Sequence, residues 1–205
     1  MPRVADPTLP ERLLDGAEKL WRAGGEEAVT IRGVADAAGS STPTLYSYYA
    51  DREMLMIALR SRVHRRFITF MSASKSFTDS CERYLAYGEN HEREYGLLYG
   101  YRWFQRAPVE LRNAEFSDFE ARLRARKIPK NRSRSLAWAV LTVLHGAVMY
   151  RTAQRTPGSE WREIRAAALK ACGVLFADAS PGRKTRSTSN LYRERSAKSQ
   201  PSYTG

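Results

Sequence analysis

The chain has 205 residues, with 34 Lys or Arg against 22 Asp or Glu and a formal net charge of +12. Apolar residues make up 42% of it, enough for a core and too many for disorder throughout. Two cysteines exclude a disulfide framework, no apolar run reaches the roughly 18 residues of a membrane span, and the first residues lack a secretory apolar segment; an intracellular protein is expected.

Strand signals are nearly absent, since no stretch sustains alternation and no Asn-Gly or Asp-Gly hairpin turn occurs. The chain therefore reads as all-α, with about nine helices. Leu9, Leu13, Ala17, Leu20 and Trp21 share one face of a first helix over 9–24, which Gly24-Gly25 stops. Thr30 can cap a short helix ending at Gly39, and Ser41 another ending near Tyr49. Asp51 can cap a long helix through Leu55, Ala58, Leu59, Val63 and Phe67 toward residue 73. Further helices are predicted at about 78–94, 95–106, 110–126, 132–155 and 159–178, separated by Pro108, Ile128-Pro129 and Thr156-Pro157-Gly158. Residues 180–205 are rich in Ser, Arg and Lys and poor in apolar side chains, so a disordered basic tail is expected.

Leu136 to Tyr150 is almost wholly apolar. It is too short to span a membrane and is bracketed by Arg134 and Arg151. A core helix buried also by a partner subunit explains this pattern, which points to a homodimer.

Charge is unevenly spread. Residues 1–60 carry seven basic and nine acidic side chains, residues 61–177 carry 21 and 11, and residues 178–205 carry six and two. The densest basic run is Arg122, Arg124, Arg126, Lys127, Lys130, Arg132 and Arg134. It reads as a solvated connection between two helices or as a nucleic-acid patch.

The most informative segment is 30–53, TIRGVADAAGSSTPTLYSYYADRE. Two short helices that cross closely need a small residue, which Ala35 supplies. The tight turn needs a residue tolerant of positive φ, which is Gly39, and the second helix needs an apolar anchor, which is Leu45. This is the pattern of a helix–turn–helix. At 100° per residue, inward Leu45 and Tyr49 turn Pro43 and Ser47 outward, flanked by Thr44 and Tyr46, with Thr42 and Tyr48 at the margins. Such a face offers thymine contacts from Pro43 and Thr44 and phosphate contacts from tyrosines and hydroxyls. Guanine readout then falls to Arg32 on the preceding helix.

These residues resemble the N-terminal DNA-binding domain of TetR-family transcriptional regulators. Thr30, Val34, Ala35, Ala38, Gly39, Ser41, Leu45, Tyr46, Tyr48, Glu53 and Leu55 fit the family pattern, while Ser40, Tyr49 and Arg52 stand where Val, Phe and Lys are usual. Trp138 and His145-Gly146 resemble one type of family C-terminal domain.

The resemblance implies a three-helix DNA-binding domain over 1–55 and a larger helical dimerisation and effector domain over 56–179, followed by the tail 180–205. It implies a cytoplasmic, nucleoid-associated bacterial protein that binds double-stranded DNA as a homodimer and has no membrane partner. Phosphate contacts would come from Thr30, Ser41, Tyr46, Tyr48 and Arg52, and base contacts from Arg32, Thr42, Pro43 and Thr44. A small apolar or aromatic effector would sit among His91, Tyr95, Tyr99, Trp103, Trp138, His145 and Met149. The expected function is a repressor released from a pseudo-palindromic operator by that effector. The alternatives are an activator, or a non-specific DNA-coating protein using the basic C-terminal half. No catalytic motif or paired metal spacing is found, so no enzyme, cofactor or metal is expected.

Overall fold

The computed structural model describes residues 6–100 and 109–179, with side chains of the second stretch described from Phe116 onward. Among the described residues all regular structure is helical: α1 (Leu9–Ala28), α2 (Ile31–Ala37), α3 (Thr42–Tyr46), α4 (Arg52–Ser72), α5 (Phe77–Asn90), α6 (Glu92–Tyr99), α7 (Val109–Ala125), α8 (Lys130–Gln154) and α9 (Gly158–Ala179). The part of the expected 95–106 helix beyond Gly100, Trp103 and the tail 180–205 lie outside the described residues.

Local chemistry sets the ends of the early helices. Gly24 and Gly25 leave helical geometry inside α1, Gly25 with φ 71°, so the predicted stop is a kink followed by one more turn. Thr30, Ser41 and Asp51 cap α2, α3 and α4, each side chain accepting the amide N–H three residues on. α3 ends at Tyr46, earlier than expected, because Ser47 to Asp51 turn the chain into the extended cap of α4.

Two layers share α4. The N-terminal part buries Leu13, Ala17, Trp21, Val34, Leu45 and Leu55 between α1, α2, α3 and the start of α4. The rest of α4 sends Leu59, Val63 and Phe67 into the larger bundle of α5 to α9. There Phe67 meets Tyr84 and Tyr87 edge-on, at ring separations of 5.8 and 4.7 Å. α8 and α9 pack along each other, and α8 also lies against α5 and α7. α5 and α8 approach so closely at Gly88 that the γ-methyls of Val148 occupy the space of a Cβ.

A cluster of charges joins the two layers. Arg22 of α1 donates to Glu94 of α6 at 2.7 Å, and Arg66 of α4 reaches the same oxygen at 3.3 Å. Tyr87 of α5 donates to the other Glu94 oxygen at 2.7 Å. Glu18 of α1 accepts from Arg22 at 2.8 Å and from Arg66 at 2.9 Å. Burial pushes both carboxyls up, but hydrogen bonds outweigh it: Arg66 and Arg22 hold Glu18, and Tyr87 and Arg22 hold Glu94, below the ordinary glutamate value.

Two outcomes are expected. Gly88→Ala forces Val148 out of its place and costs about 1–3 kcal/mol of overpacking, read as a lower denaturation midpoint. The lowered carboxyls of Glu18 and Glu94 stabilise the fold above the unfolded carboxylate range, near pH 4.5, and that contribution drains away as pH falls further through their folded values. Thermal melts of the wild type therefore steepen in acid dependence below that point, whereas Glu94→Gln protein is less stable at neutral pH and loses less on acidification.

Candidate nucleic-acid interface

The turn between α2 and α3 closes as a Schellman motif. Gly39, at φ 63°, donates its N–H to the Asp36 carbonyl at 3.1 Å, and Ser40 donates to the Ala35 carbonyl at 2.9 Å. Ala35 is 1% and Leu45 0% exposed, so both serve as the inward contacts their residue types suggest. Tyr49 is half-buried against the same core.

The opposite face of α3 is open. Pro43 and Ser47 are exposed, Thr42 and Thr44 half-buried, and Tyr46 and Tyr48 are 50% and 38% exposed. Two large aromatic side chains held in water beside a fully buried Leu45 match a face kept for a partner. Arg32 on α2 is 90% exposed along its side chain, and its ion pair with Asp36 is stretched to 4.0 Å. Its guanidinium can therefore reach outward.

The hydroxyls at the helix starts are already in use. Thr30 Oγ1 accepts from the Gly33 amide at 3.1 Å, which leaves its own hydrogen able to donate. Ser41 Oγ accepts from the Thr44 amide at 3.3 Å and shares a hydrogen bond of 2.7 Å with the Thr44 hydroxyl. A phosphate at either helix start would meet a fixed hydroxyl and a helix N-terminus together.

Arg52 differs from its expected placement. Its Nε donates to the Val29 carbonyl at 2.7 Å and a terminal nitrogen to the Glu26 carbonyl at 2.5 Å. The side chain turns back and clamps the start of α4 to the end of α1. The Glu26 carboxylate lies 3.8 Å away on the same guanidinium.

Three carboxylates of α1 are held away from this face, while Asp36 stays exposed beside Arg32 on α2. Arg62 of α4 pairs with Asp15 at 2.6 Å and lies 3.6 Å from Glu11, and Glu18 is held by Arg22 and Arg66. These carboxylates line the α1–α4 contact, so α3 faces solvent without them.

The residues expected around an effector divide. Tyr95 is buried, hydrogen-bonded to the Tyr84 hydroxyl at 3.1 Å and to His145 Nδ1 at 2.6 Å. Tyr99 lies against both rings, at 4.6 Å from Tyr95 and 4.9 Å from His145. This cluster joins α5, α6 and α8. His91 instead stacks on Tyr87 at 4.6 Å, and Trp138 stacks on Phe116 at 4.4 Å. Trp138 and Met149 are 48% and 41% exposed on the outer side of α8, with Tyr150 beside them and Val174 on α9. Tyr84 was not singled out from sequence, where it is one tyrosine of eleven.

A helix–turn–helix with an open second helix defines a DNA-binding protein. Residues 13–59 match the family model described as bacterial regulatory proteins, tetR family. Among solved structures the chain is similar to the transcriptional regulator SCO7222, a TetR from Streptomyces coelicolor, at 16% identity and a TM-score of 0.67, covering 83% of this chain and 99% of that one. It is similar to the multidrug binding protein EbrR complexed with proflavin, at 19% identity and a TM-score of 0.62, covering 80% and 98%. It is also similar to a TetR variant from Acinetobacter baumannii AYE in complex with minocycline, at 17% identity and a TM-score of 0.58, covering 84% and 95%. No curated protein matches the chain in sequence. The N-terminal domain is that of bacterial regulatory proteins of the tetR family, and the whole chain shares the fold of the transcriptional regulators named above. Among the described residues no helix is long and apolar enough to cross a membrane.

Loss of the Arg52 clamp is expected to register without DNA. Arg52→Ala removes charged donors from two backbone carbonyls, and the domain loses about 1.5–3 kcal/mol, measured by denaturant unfolding. A variant with unchanged stability but weakened DNA binding would instead make Arg52 a phosphate ligand.

Proposed function

We propose that the protein is a sequence-specific repressor that binds a pseudo-palindromic operator as a homodimer and is released by a small apolar or aromatic effector. The observation that carries the DNA part is the α3 face, with Leu45 buried and Tyr46 and Tyr48 held in solvent. In this reading Thr30, Ser41, Tyr46 and Tyr48 contact phosphates, and Pro43, Thr44 and Thr42 meet base edges in the major groove. Arg32 supplies the bidentate guanine contact. Arg52 supports the site by holding α4 against α1.

The outer side of α8 and α9 supports the dimer. Trp138, Met149, Tyr150 and Val174 are large apolar side chains left in water on adjacent helices. A second copy covering them would hold two recognition helices at the spacing of successive major grooves. This assigns Trp138 and Met149 to the subunit contact rather than to the effector.

The effector reading narrows to Tyr95, Tyr99 and His145. Aromatic rings and one polar chain suit a planar ligand with a hydrogen-bonding group. α6 carries Tyr95 and Tyr99, and it also carries Glu94, which holds Arg22 of α1. A ligand that displaces α6 would loosen the contact that fixes the DNA-binding domain, which is a shift between two states. The proflavin and minocycline complexes of similar folds favour an effector of that kind here.

The test is selection of bound fragments from a random duplex library at near-physiological salt. An enriched pseudo-palindrome is expected, and binding without enrichment that vanishes with rising salt would favour a non-specific coat. Arg32→Ala is expected to relax preference at one base of each half-site by about 1–3 kcal/mol. In sedimentation, a dimer at micromolar concentration is expected, and Trp138→Glu should convert it to monomer.

A further inference from the structure

A dense run of exposed basic side chains lies far from α3. α4 has 21 residues, so it is about 30 Å long, and its first turn is clamped to α1 beside the helix–turn–helix. At its other end, Arg122 of α7 donates to the carbonyls of Ser74, at 3.0 Å, and Met71, at 3.4 Å. The turn from α7 to α8 therefore sits at the pole opposite α3. Arg132, just past that turn, donates to the Asp178 carbonyl at 3.0 Å, which brings the end of α9 to the same pole.

Lys75, Arg124, Arg126, Lys127, Lys130 and Arg134 are all exposed there. Among the described residues none of the six is in an ion pair, in contrast to Arg62 and Arg66 on α4. Neighbouring carboxylates are partly engaged: Asp118 is held by Arg122 at 2.8 Å, and Asp79 accepts the Lys75 amide at 2.6 Å. Asp178 is an exposed counter-charge at the rim.

The patch is also built rather than loose. The turn is pinned by Ile128, 3% exposed, and by backbone hydrogen bonds that the Arg126 and Lys127 amides donate to the Leu123 and Arg124 carbonyls. The Arg126 guanidinium lies over Phe176 at 5.9 Å and that of Arg134 over Phe116 at 5.5 Å. Side chains held this way lose less entropy on meeting a polyanion.

We propose that this pole binds the sugar–phosphate backbone of a second DNA duplex while α3 holds the first. The inference goes beyond operator recognition. Its chemistry is that of phosphate: several arginines and lysines, no base-reading element, and charge complementarity without sequence preference. One duplex cannot serve both surfaces. The poles are separated by about the length of α4, and DNA is stiff over roughly 150 base pairs. Protein on one segment would then capture another, which draws distant segments together and raises the local concentration of DNA at the recognition face.

The experiment uses the full chain bound to a bead-held duplex recovered from the library selection. A second, fluorescent duplex of random sequence is added, and its capture on the beads is measured. The wild type captures it. The variant Arg124→Gln, Arg126→Gln, Lys127→Gln, Lys130→Gln keeps its hold on the bead duplex but loses capture at least about tenfold, and its salt slope on random DNA falls by about 3 to 4. Arg124→Lys with Arg126→Lys restores capture, which separates charge from folding. Thermal melting confirms that each variant is folded. The proposal is overturned if the four-fold Gln variant captures as well as the wild type, or if the wild type captures no second duplex. Capture of anionic phosphatidylglycerol vesicles in place of duplex would overturn it in favour of a membrane partner. Arg32→Ala with Tyr46→Ala no longer holds the bead duplex but binds the random duplex in solution with the wild-type salt slope, so failure at the recognition face is read separately from failure at the pole.

Discussion

The carboxylate of Glu94 ties α1 to three later, consecutive helices. It receives Arg22 from α1, Arg66 from α4 and Tyr87 from α5, while itself belonging to α6. Glu18 doubles the connection by bonding the same two arginines. The two carboxylates are nearly buried while Arg22 and Arg66 keep 53% and 39% of their side chains in water, so the carboxylates lose most when an arginine is removed. The cluster's stabilisation is less important than its geometry. It fixes the angle at which α1 to α3 leave the bundle, which in the proposed dimer would set the spacing of the two α3 helices.

α6 joins that contact to a second one. Glu94 and Tyr95 are neighbours in sequence, and they point to different business: the carboxylate toward the arginines, the phenol toward Tyr84 and His145. An eight-residue helix cannot shift one end without the other. The packing of α5 on α8 at Gly88 and Val148 leaves little slack beside it. The fold therefore contains a short rigid element between an aromatic cluster and the domain contact.

Charge is partitioned along the molecule by the same architecture. The first 60 residues are slightly acidic, yet the carboxylates of α1 lie against the arginines of α4. The recognition face keeps hydroxyls, a proline, tyrosines and Arg32. The exposed basic run from Arg124 to Arg134 stands at the other end of α4. A count over sequence windows gives net −2 for the first of these regions and does not tell which carboxylates face DNA.

By itself the sequence determined the local structure. Caps at Thr30, Ser41 and Asp51, the turn glycine at 39 and the inward Leu45 are set by interactions within a few residues, and each stands where the pattern puts it. The all-α class and most helix boundaries followed from the same short-range rules, although the break expected after residue 94 falls at His91 and α6 ends at Tyr99 rather than near 106. Tertiary structure decided everything that depends on which faces meet. It turned Arg52 back onto the Glu26 and Val29 carbonyls, sent His91 to Tyr87 and Trp138 to the outer side of α8, and brought Tyr84 to Tyr95. It also placed the arginine run of α7 and α8 about the length of α4 away from the recognition helix. Short-range periodicity gives the direction of a side chain from its own helix axis. The partner it finds depends on how helices far apart in sequence cross, which no single segment encodes.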